Sequence, residues 1–349
     1  MLAIILPFFL GTYTLFLHFS YHVVKLERTK NLHDLVFLAA RMAVDEEAYR
    51  VNDWQEFSPE CIYDVAVNIS TDNIYEGNSD TYCSMIMTEL KCRPIGSDTL
   101  TCRFANGKIL RPNPENSKCP EEKYFTPVSD NFIYGEPFEI RFNAKGIENL
   151  VVSRHIPRWR LNMVRAIVDQ LNIGFELEKG RQRFVTTENS RTGSCEVEIK
   201  MSRAGYSARD AGNRDLEIVF EPPRPEIAPL NRAILQIEKV RDPKNCPNRK
   251  TYFFGNNDDS NGKKNMSMDK ITSVSHFRIS EREMHSYTES TGVVRVLNDP
   301  MTMRLYQKIS LTLRSIHPTR NPLPEIRNPA STSLYAYTNP WSRKDVLIL

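Results

Sequence analysis

Two cations that alternate along one predicted strand have the clearest chemical potential in this sequence. The stretch AILQIEKVRD, residues 233–242, has strand periodicity, so Lys239 and Arg241 project from one face and Glu238 and Val240 from the other. Two cations on one face form a docking patch for an acidic partner. Such cations speed the encounter with the partner and make it specific more than they increase the affinity. An ordinary solvated strand face would show the same pattern.

Seven cysteines provide a second kind of chemistry. No two of them have Cys-x-x-Cys spacing, which argues against a zinc ribbon or a thioredoxin-like redox site. Their irregular spacing beside turn residues favours disulfides in an oxidising compartment, with one thiol left over, and buried free cysteines in a cytosolic protein are the alternative. They are Cys61, Cys83, Cys92, Cys102, Cys119, Cys195 and Cys246.

The sequence contains no catalytic motif. It has no GxSxG, HExxH, GxGxxG or P-loop pattern, so we predict a protein without enzymatic activity and without a cofactor. His276 and His285 form a conceivable metal pair across a hairpin, but ordinary strand histidines are the simpler interpretation. The net charge is only +3 over 349 residues, which predicts no nucleic-acid partner.

The N-terminal residues predict export. Residues 2–17, LAIILPFFLGTYTLFL, are apolar and uncharged, which suits the core of a signal peptide better than a membrane span. Basic residues follow this run, so an uncleaved signal anchor is the alternative. We therefore predict a secreted, extracellular protein with its signal in residues 1–20. Asn68 and Asn265 begin Asn-x-Ser sequons and are glycosylation candidates.

One strong helix is predicted among segments that otherwise alternate with a period of two. Residues 155–173 read HIPRWRLNMVRAIVDQLNI, with apolar residues at i, i+3, i+4 and i+7. An aromatic residue widens this stripe at its N-terminal end. The stripe consists of Trp159, Val164, Ile167, Val168 and Leu171.

These patterns predict a mainly β fold, an antiparallel barrel-like sheet wrapped around one central amphipathic helix. The sheet is expected over residues 56–316, where a curled sheet protects its edges and the helix fills its interior as a plug. Residues 21–55 predict a peripheral helical segment. Residues 317–349, which are rich in proline, predict a linker or an extended tail.

The order of these motifs resembles the N-terminal module of the vitellogenin family of large lipid transfer proteins. VVSRHIPRWRLNMVRAIVDQLNI is similar to the helix signature of that module, and RFVTTENSRTGSCEVEI to its Thr-Gly-x-Cys-Glu strand. AILQIEKVRDPKNCPNR resembles the strand that leads to its Asn-Cys pair. The resemblance covers residues 60–316 and implies a disulfide between Cys195 and Cys246, whereas the pairing of the other five cysteines stays open.

The resemblance also implies a function. In the family, recognition by relatives of the low-density-lipoprotein receptor has been placed on the strand that matches 234–242, and such receptors offer acidic, calcium-bound repeats. The receptor-binding candidates carried over to this chain are Lys239, Arg241 and Asp242. A small-scale carrier of a few lipids is one alternative, and a fragment of a longer yolk lipoprotein is another.

Overall fold

Strands dominate the described part of the chain. The computed structural model describes residues 37–42, 58–75, 78–95, 99–112, 119, 124–130, 135–143, 146–173, 182–190, 193–205, 216–221, 233–241, 246, 266–280, 283–296, 302–319, 321–322 and 324–335. These ranges contain fifteen strands, one α-helix and one short 3-10 helix. The predicted mainly β fold is confirmed.

The strands and helices follow the chain in a simple order. The strands are β1 Phe37–Met42, β2 Ser58–Tyr75, β3 Asn78–Ile95, β4 Thr99–Pro112, β5 Phe125–Asp130, β6 Phe138–Asn143, β7 Gly146–Ser153, β8 Arg183–Ser190, β9 Gly193–Gly205, β10 Leu216–Glu221, β11 Ala233–Arg241, β12 Met266–Ile279, β13 Met284–Val296, β14 Thr302–Thr319 and β15 Pro329–Thr332. The helix α1 spans Arg158–Val168 and continues into a 3-10 helix at Asp169–Leu171. The described ranges hold no helix long and apolar enough to cross a membrane.

Thirteen of these strands form one open, curled antiparallel sheet. Its order is β15-β7-β6-β4-β3-β2-β14-β13-β12-β11-β9-β8, and β5 pairs with β4 beside this path. The sheet is not closed into a barrel, because β15 and β8 are its two ends. β1 and β10 form a separate two-stranded sheet.

One face of the large sheet is apolar because its strands alternate. On β2, Tyr63, Val65 and Val67 are buried, whereas Asp64 between them is exposed. Their register partners on β14, such as Ile309 and Leu311, continue the same inner surface. A two-residue period therefore determines which side of each strand contributes to the core. We call the opposite side of this sheet the outer face.

The helix α1 lies inside the curl of the sheet. Residues 161–168 are all buried, including the polar Asn162 and the charged Arg165. The structure places the predicted stripe residues Val164, Ile167, Val168 and Leu171 in the core, with Trp159 half-buried against it. A helix buried on every side accounts for the curl, since the sheet needs an apolar surface to wrap around.

The predicted peripheral helix is wrong at Phe37–Met42. These residues form β1, whose register runs antiparallel to Leu216–Glu221 from Phe37 opposite Glu221 to Met42 opposite Leu216. A short apolar run has no decisive periodicity, so a partner strand distant in sequence determines its conformation. The other residues of 21–55, and the predicted signal in 1–20, lie outside the described residues.

The predicted proline-rich tail is wrong at residues 317–319 and 329–335. β14 continues to Thr319, and β15 then pairs with β7, with Pro329 opposite Ser153. Leu334, just beyond β15, is buried in the core. Proline is tolerated at the first residue of an edge strand, where no ladder N–H is needed, so Pro329 does not prevent the pairing. Residues 336–349 lie outside the described residues.

Candidate functional site

The two cations predicted to form a docking patch lie inside the molecule. Lys239 and Arg241 share one face of β11, as the alternation predicts, but Leu235 and Ile237 on that same face belong to the core. The Lys239 side chain is 0% exposed and Arg241 is almost as deeply buried. The prediction of an exposed basic patch is therefore wrong, because apolar neighbours turn this face inward. Asp242 lies outside the described residues.

A buried carboxylate on β8 binds both cations. Lys239 Nζ donates to Glu188 Oε1 at 2.5 Å, and Arg241 Nη2 donates to Glu188 Oε2 at 3.0 Å. Asp169, in the 3-10 helix, lies 3.7 Å from the same Arg241 nitrogen. Two cations thus face two carboxylates in a space that water does not reach. We call these four residues the ionic cluster.

The residues of the ionic cluster shift one another's pKa values. Burial alone would raise the pKa of Glu188, but the charges of Lys239 and Arg241 and their hydrogen bonds outweigh burial and lower that pKa. Burial lowers the pKa of Lys239, and the Glu188 carboxylate offsets only part of this effect. The role of the cluster is structural, because removing one of its residues would leave a buried charge without a counter-charge.

Polar residues after the helix connect it to the sheet. Asn172 Oδ1 accepts from the Ile147 N–H of β7 at 3.1 Å, and Asn172 Nδ2 donates to the Asn189 carbonyl of β8 at 3.2 Å. The Asn172 carbonyl also accepts from Lys239 Nζ at 2.6 Å. Asn172 therefore joins strands near both ends of the open sheet. Sequence reasoning missed this role, whose only signal is a polar residue directly after an apolar stripe.

Three disulfides are present, and one of them is the pair that the resemblance implies. They join Cys195 to Cys246, Cys83 to Cys119 and Cys92 to Cys102. All seven cysteines lie in the described ranges, and Cys61 is the free one. Burial raises the pKa of the Cys61 thiol to about 12, so this thiol stays protonated and is a poor nucleophile.

The outer face carries cross-strand ion pairs. Lys200 on β9 binds Glu238 on β11, and Lys308 on β14 binds Glu289 on β13, each at 2.8 Å. These pairs leave the outer face charged but locally neutralised. Residues of strand 234–242 that face outward therefore include the acidic Glu238 and neither of the predicted cations.

The two histidines considered as a metal pair lie on this outer face. His276 stacks on the Tyr287 ring at 4.7 Å, and His285 Nδ1 is 2.8 Å from Thr312 Oγ1. Within the described ranges, no cluster of three or more His, Cys, Asp or Glu side chains could hold a metal ion. The simpler interpretation, ordinary strand histidines, fits these contacts.

The two glycosylation candidates differ in what the structure says about them. Asn68 lies in the middle of β2, opposite Met85 of β3 and Lys308 of β14, and is half-buried. Sequons that receive glycans are typically found in surface loops, so a central strand is an unfavourable place. Asn265 lies outside the described residues. Glycosylation of either residue stays a prediction.

Comparisons with known proteins agree on one family. The family model described as the vitellogenin N-terminal domain matches residues 71–321. Vitellogenin-1 of Solenopsis invicta is 26% identical over 234 residues, which cover 60% of this chain and 14% of that protein. A solved structure described as "Lipid-protein interactions in lipovitellin" has a TM-score of 0.54 and 12% identity, over 81% of this chain and 28% of that chain. The structural similarity shows the fold, and the chain spans only a small part of these relatives.

Proposed function

This chain belongs to the vitellogenin N-terminal domain family, and on that basis we propose that it is an extracellular module that binds a lipoprotein-receptor-like partner. The family consists of secreted proteins of lipid transport, and three disulfides fit an oxidising compartment. The observation that carries the proposal is the occupied interior of the sheet. With the interior occupied by the module's own residues, the outer face is the surface that a receptor can reach.

The interior is occupied by two kinds of residue. Residues 161–168 of α1 are buried on all sides, so the helix contacts protein in every direction. Beyond its C-terminal end, Lys239 and Glu188 are buried with direct ion-pair contact. A lipid chain in this space would have to displace the helix or the ionic cluster. Both displacements are costly, the second because it exposes buried charges to an apolar ligand.

Cations that an acidic partner could reach lie beside β11 and not on its buried face. Lys200 on β9 is opposite Glu238 and its side chain is 44% exposed, and Arg183 on β8 is opposite Lys200. Arg278 on β12 flanks β11 from the other side. Surface ion pairs such as Lys200–Glu238 contribute little stability, so a carboxylate of a partner can replace Glu238 at small cost. We therefore propose that the receptor contacts the strands beside β11 and not β11 itself.

Lys200→Gln is expected to weaken binding to acidic, calcium-bound receptor repeats by about threefold to tenfold and to reduce its salt dependence. The matched control is Lys308→Gln on the same outer face. Lys308 also pairs with a glutamate at 2.8 Å and its side chain is 36% exposed. Surface plasmon resonance at low and at physiological ionic strength measures both variants. Equal effects of the two substitutions would contradict a site beside β11.

Lipid binding is the competing function, and a lipid count separates it from receptor binding. The delipidated protein is incubated with phospholipid vesicles, reisolated, and its bound phospholipid is measured by phosphate analysis. We expect no more than a few lipids per chain, because α1 and the ionic cluster occupy the interior. A large, saturable lipid load would support the carrier function and contradict the proposal of a module that only binds partners.

A further inference from the structure

We propose that the end of the sheet at β7 is a binding site for an extended peptide, which the chain's own residues 329–335 occupy. We call residues 329–335 the strap. This inference does not depend on receptor binding, because it concerns the inner side and the edge of the sheet. It rests on three groups of contacts between the strap and the domain, of kinds that proteins use to bind peptides. They are backbone hydrogen bonds, hydrogen bonds from a buried cation, and side-chain contacts.

The backbone contacts are those of strand addition. β15 extends the sheet at β7 through four register pairs, from Pro329 opposite Ser153 to Thr332 opposite Leu150. Just before the strap, the Arg154 N–H donates to the Asn328 carbonyl at 2.9 Å. Addition of an extended segment to a free sheet edge is a common mode of peptide recognition, in which main-chain hydrogen bonds provide affinity.

A buried guanidinium on α1 donates hydrogen bonds to the strap. Arg165 Nε donates to the Ser333 carbonyl at 2.9 Å, and Nη2 donates to Thr332 Oγ1 at 2.7 Å. Asn162 Oδ1, one turn earlier on α1, accepts from Nη1 at 3.0 Å and so orients the group. Arg165 is completely buried. A fully desolvated cation is costly unless it is well hydrogen-bonded, and the strap supplies two of its acceptors.

Side chains of the strap add specificity. Ala330, Ser331, Thr332 and Leu334 are each at most 4% exposed, and Leu334 belongs to the core. The Tyr335 hydroxyl donates to Asn189 Oδ1 on β8 at 2.8 Å, so the strap reaches the opposite end of the open sheet. The site therefore selects an extended peptide with a hydroxyl residue, a leucine two residues later, and then a tyrosine.

Most of the described residues that connect the strap to the rest of the domain are exposed. Asn321, Pro322, Glu325 and Arg327 are exposed, and no residue described in 321–328 belongs to a strand. The match to the family model ends at residue 321, before the strap begins. The strap is therefore an occupant joined through a surface linker, so an equivalent segment of another chain can replace it. Such exchange of an identical element is a low-cost route to association.

A cut-and-replace experiment tests the inference on the full chain. A recognition sequence for a specific protease replaces residues 322–327, and the folded protein is cut there. A fluorescent peptide with the sequence NPASTSLY, residues 328–335, is then added, and its anisotropy is measured. We expect saturable binding at one peptide per chain to the cut protein, and binding weaker by about tenfold or more to the uncut protein, whose tethered strap competes.

Matched peptides give the specificity. Peptides carrying Leu334→Asp or Thr332→Val are expected to bind at least about tenfold more weakly, because they lose the apolar contact or the Arg165 hydrogen bond. Failure of the native peptide to bind a cut protein that keeps its circular dichroism spectrum would overturn the proposal. Unfolding on cutting would overturn it as well, since the domain would then need the covalently attached strap to stay folded, and the strap would not be an exchangeable occupant.

Discussion

Glu188→Gln is expected to lower the free energy of unfolding by about 3–5 kcal/mol, because it removes the carboxylate shared by two buried cations. Glu188 accepts from Lys239 on one oxygen and from Arg241 on the other. The amide keeps the size of the side chain but has no charge, and Asp169, 3.7 Å from Arg241, is the remaining carboxylate of the cluster. Urea denaturation followed by circular dichroism measures the change.

Two further variants make this prediction specific. Glu238→Gln removes a carboxylate from an ion pair of similar length, but this pair lies on the outer face with Glu238 36% exposed. It is expected to cost at most about 1 kcal/mol. The double variant Glu188→Gln/Lys239→Met is expected to lose less stability than Glu188→Gln alone, since it also removes one buried cation. Similar losses of unfolding free energy for Glu188→Gln and Glu238→Gln would contradict the idea that burial makes the Glu188 ion pairs important for stability.

Acid is expected to act on the same carboxylate. The Lys239 and Arg241 charges outweigh burial and hold the pKa of Glu188 below its ordinary value. A carboxyl with a lowered pKa in the folded chain contributes stability above its unfolded pKa of about 4.3, and this contribution is lost as the pH falls through the folded pKa. The wild-type protein should lose stability below about pH 4 more steeply than Glu188→Gln, which lacks the titrating group.

Removal of the Cys195–Cys246 disulfide, by replacing both cysteines with alanine, is expected to lower the free energy of unfolding by about 2–5 kcal/mol. The bond joins residues 51 positions apart, so it excludes many conformations of the unfolded chain. Cys195 also lies opposite Glu188 in the β8–β9 register, next to the ionic cluster. The melting temperature of the variant, and of the wild type with and without reductant, measures this contribution.

The Cys92–Cys102 disulfide serves as the control because it closes a much shorter loop. Its cysteines are only 10 positions apart and lie opposite each other on β3 and β4. Loop-closure entropy predicts that its removal costs about 1–1.5 kcal/mol less than removal of Cys195–Cys246. A wild-type melting temperature that reductant leaves unchanged, under conditions where the bonds are shown to be reduced, would disprove a stabilising role for either bond.

The strands and the helix could be predicted from the sequence because their signals are local. The predicted period of two matches the burial pattern of β2, where Tyr63, Val65 and Val67 are buried and Asp64 is exposed. The spacing of Val164, Ile167, Val168 and Leu171 predicted which helix would be central, since an apolar stripe must be covered by other elements. The order of these motifs was also enough to indicate the family.

Local patterns failed where a partner distant in sequence decides the outcome. Residues 37–42 carry an apolar run that suits either a helix or a strand, and pairing with β10 makes it a strand. The prolines after residue 317 indicated a linker, but the free edge of β7 and the Arg165 guanidinium bind the strap instead. The sequence around residues 37–42 does not identify β10 as their partner, and the sequence of the strap does not identify β7 or Arg165.

Lys239 and Arg241 show most directly what each level determined. The sequence by itself determined that the two cations share one face of a strand, because side chains alternate along an extended backbone. Only the tertiary structure decided that this face is inside, where Glu188 from β8 and Asp169 from the 3-10 helix compensate both charges. The physical reason is that a charge can be buried when counter-charges surround it, and those counter-charges come from parts of the chain that only folding brings together.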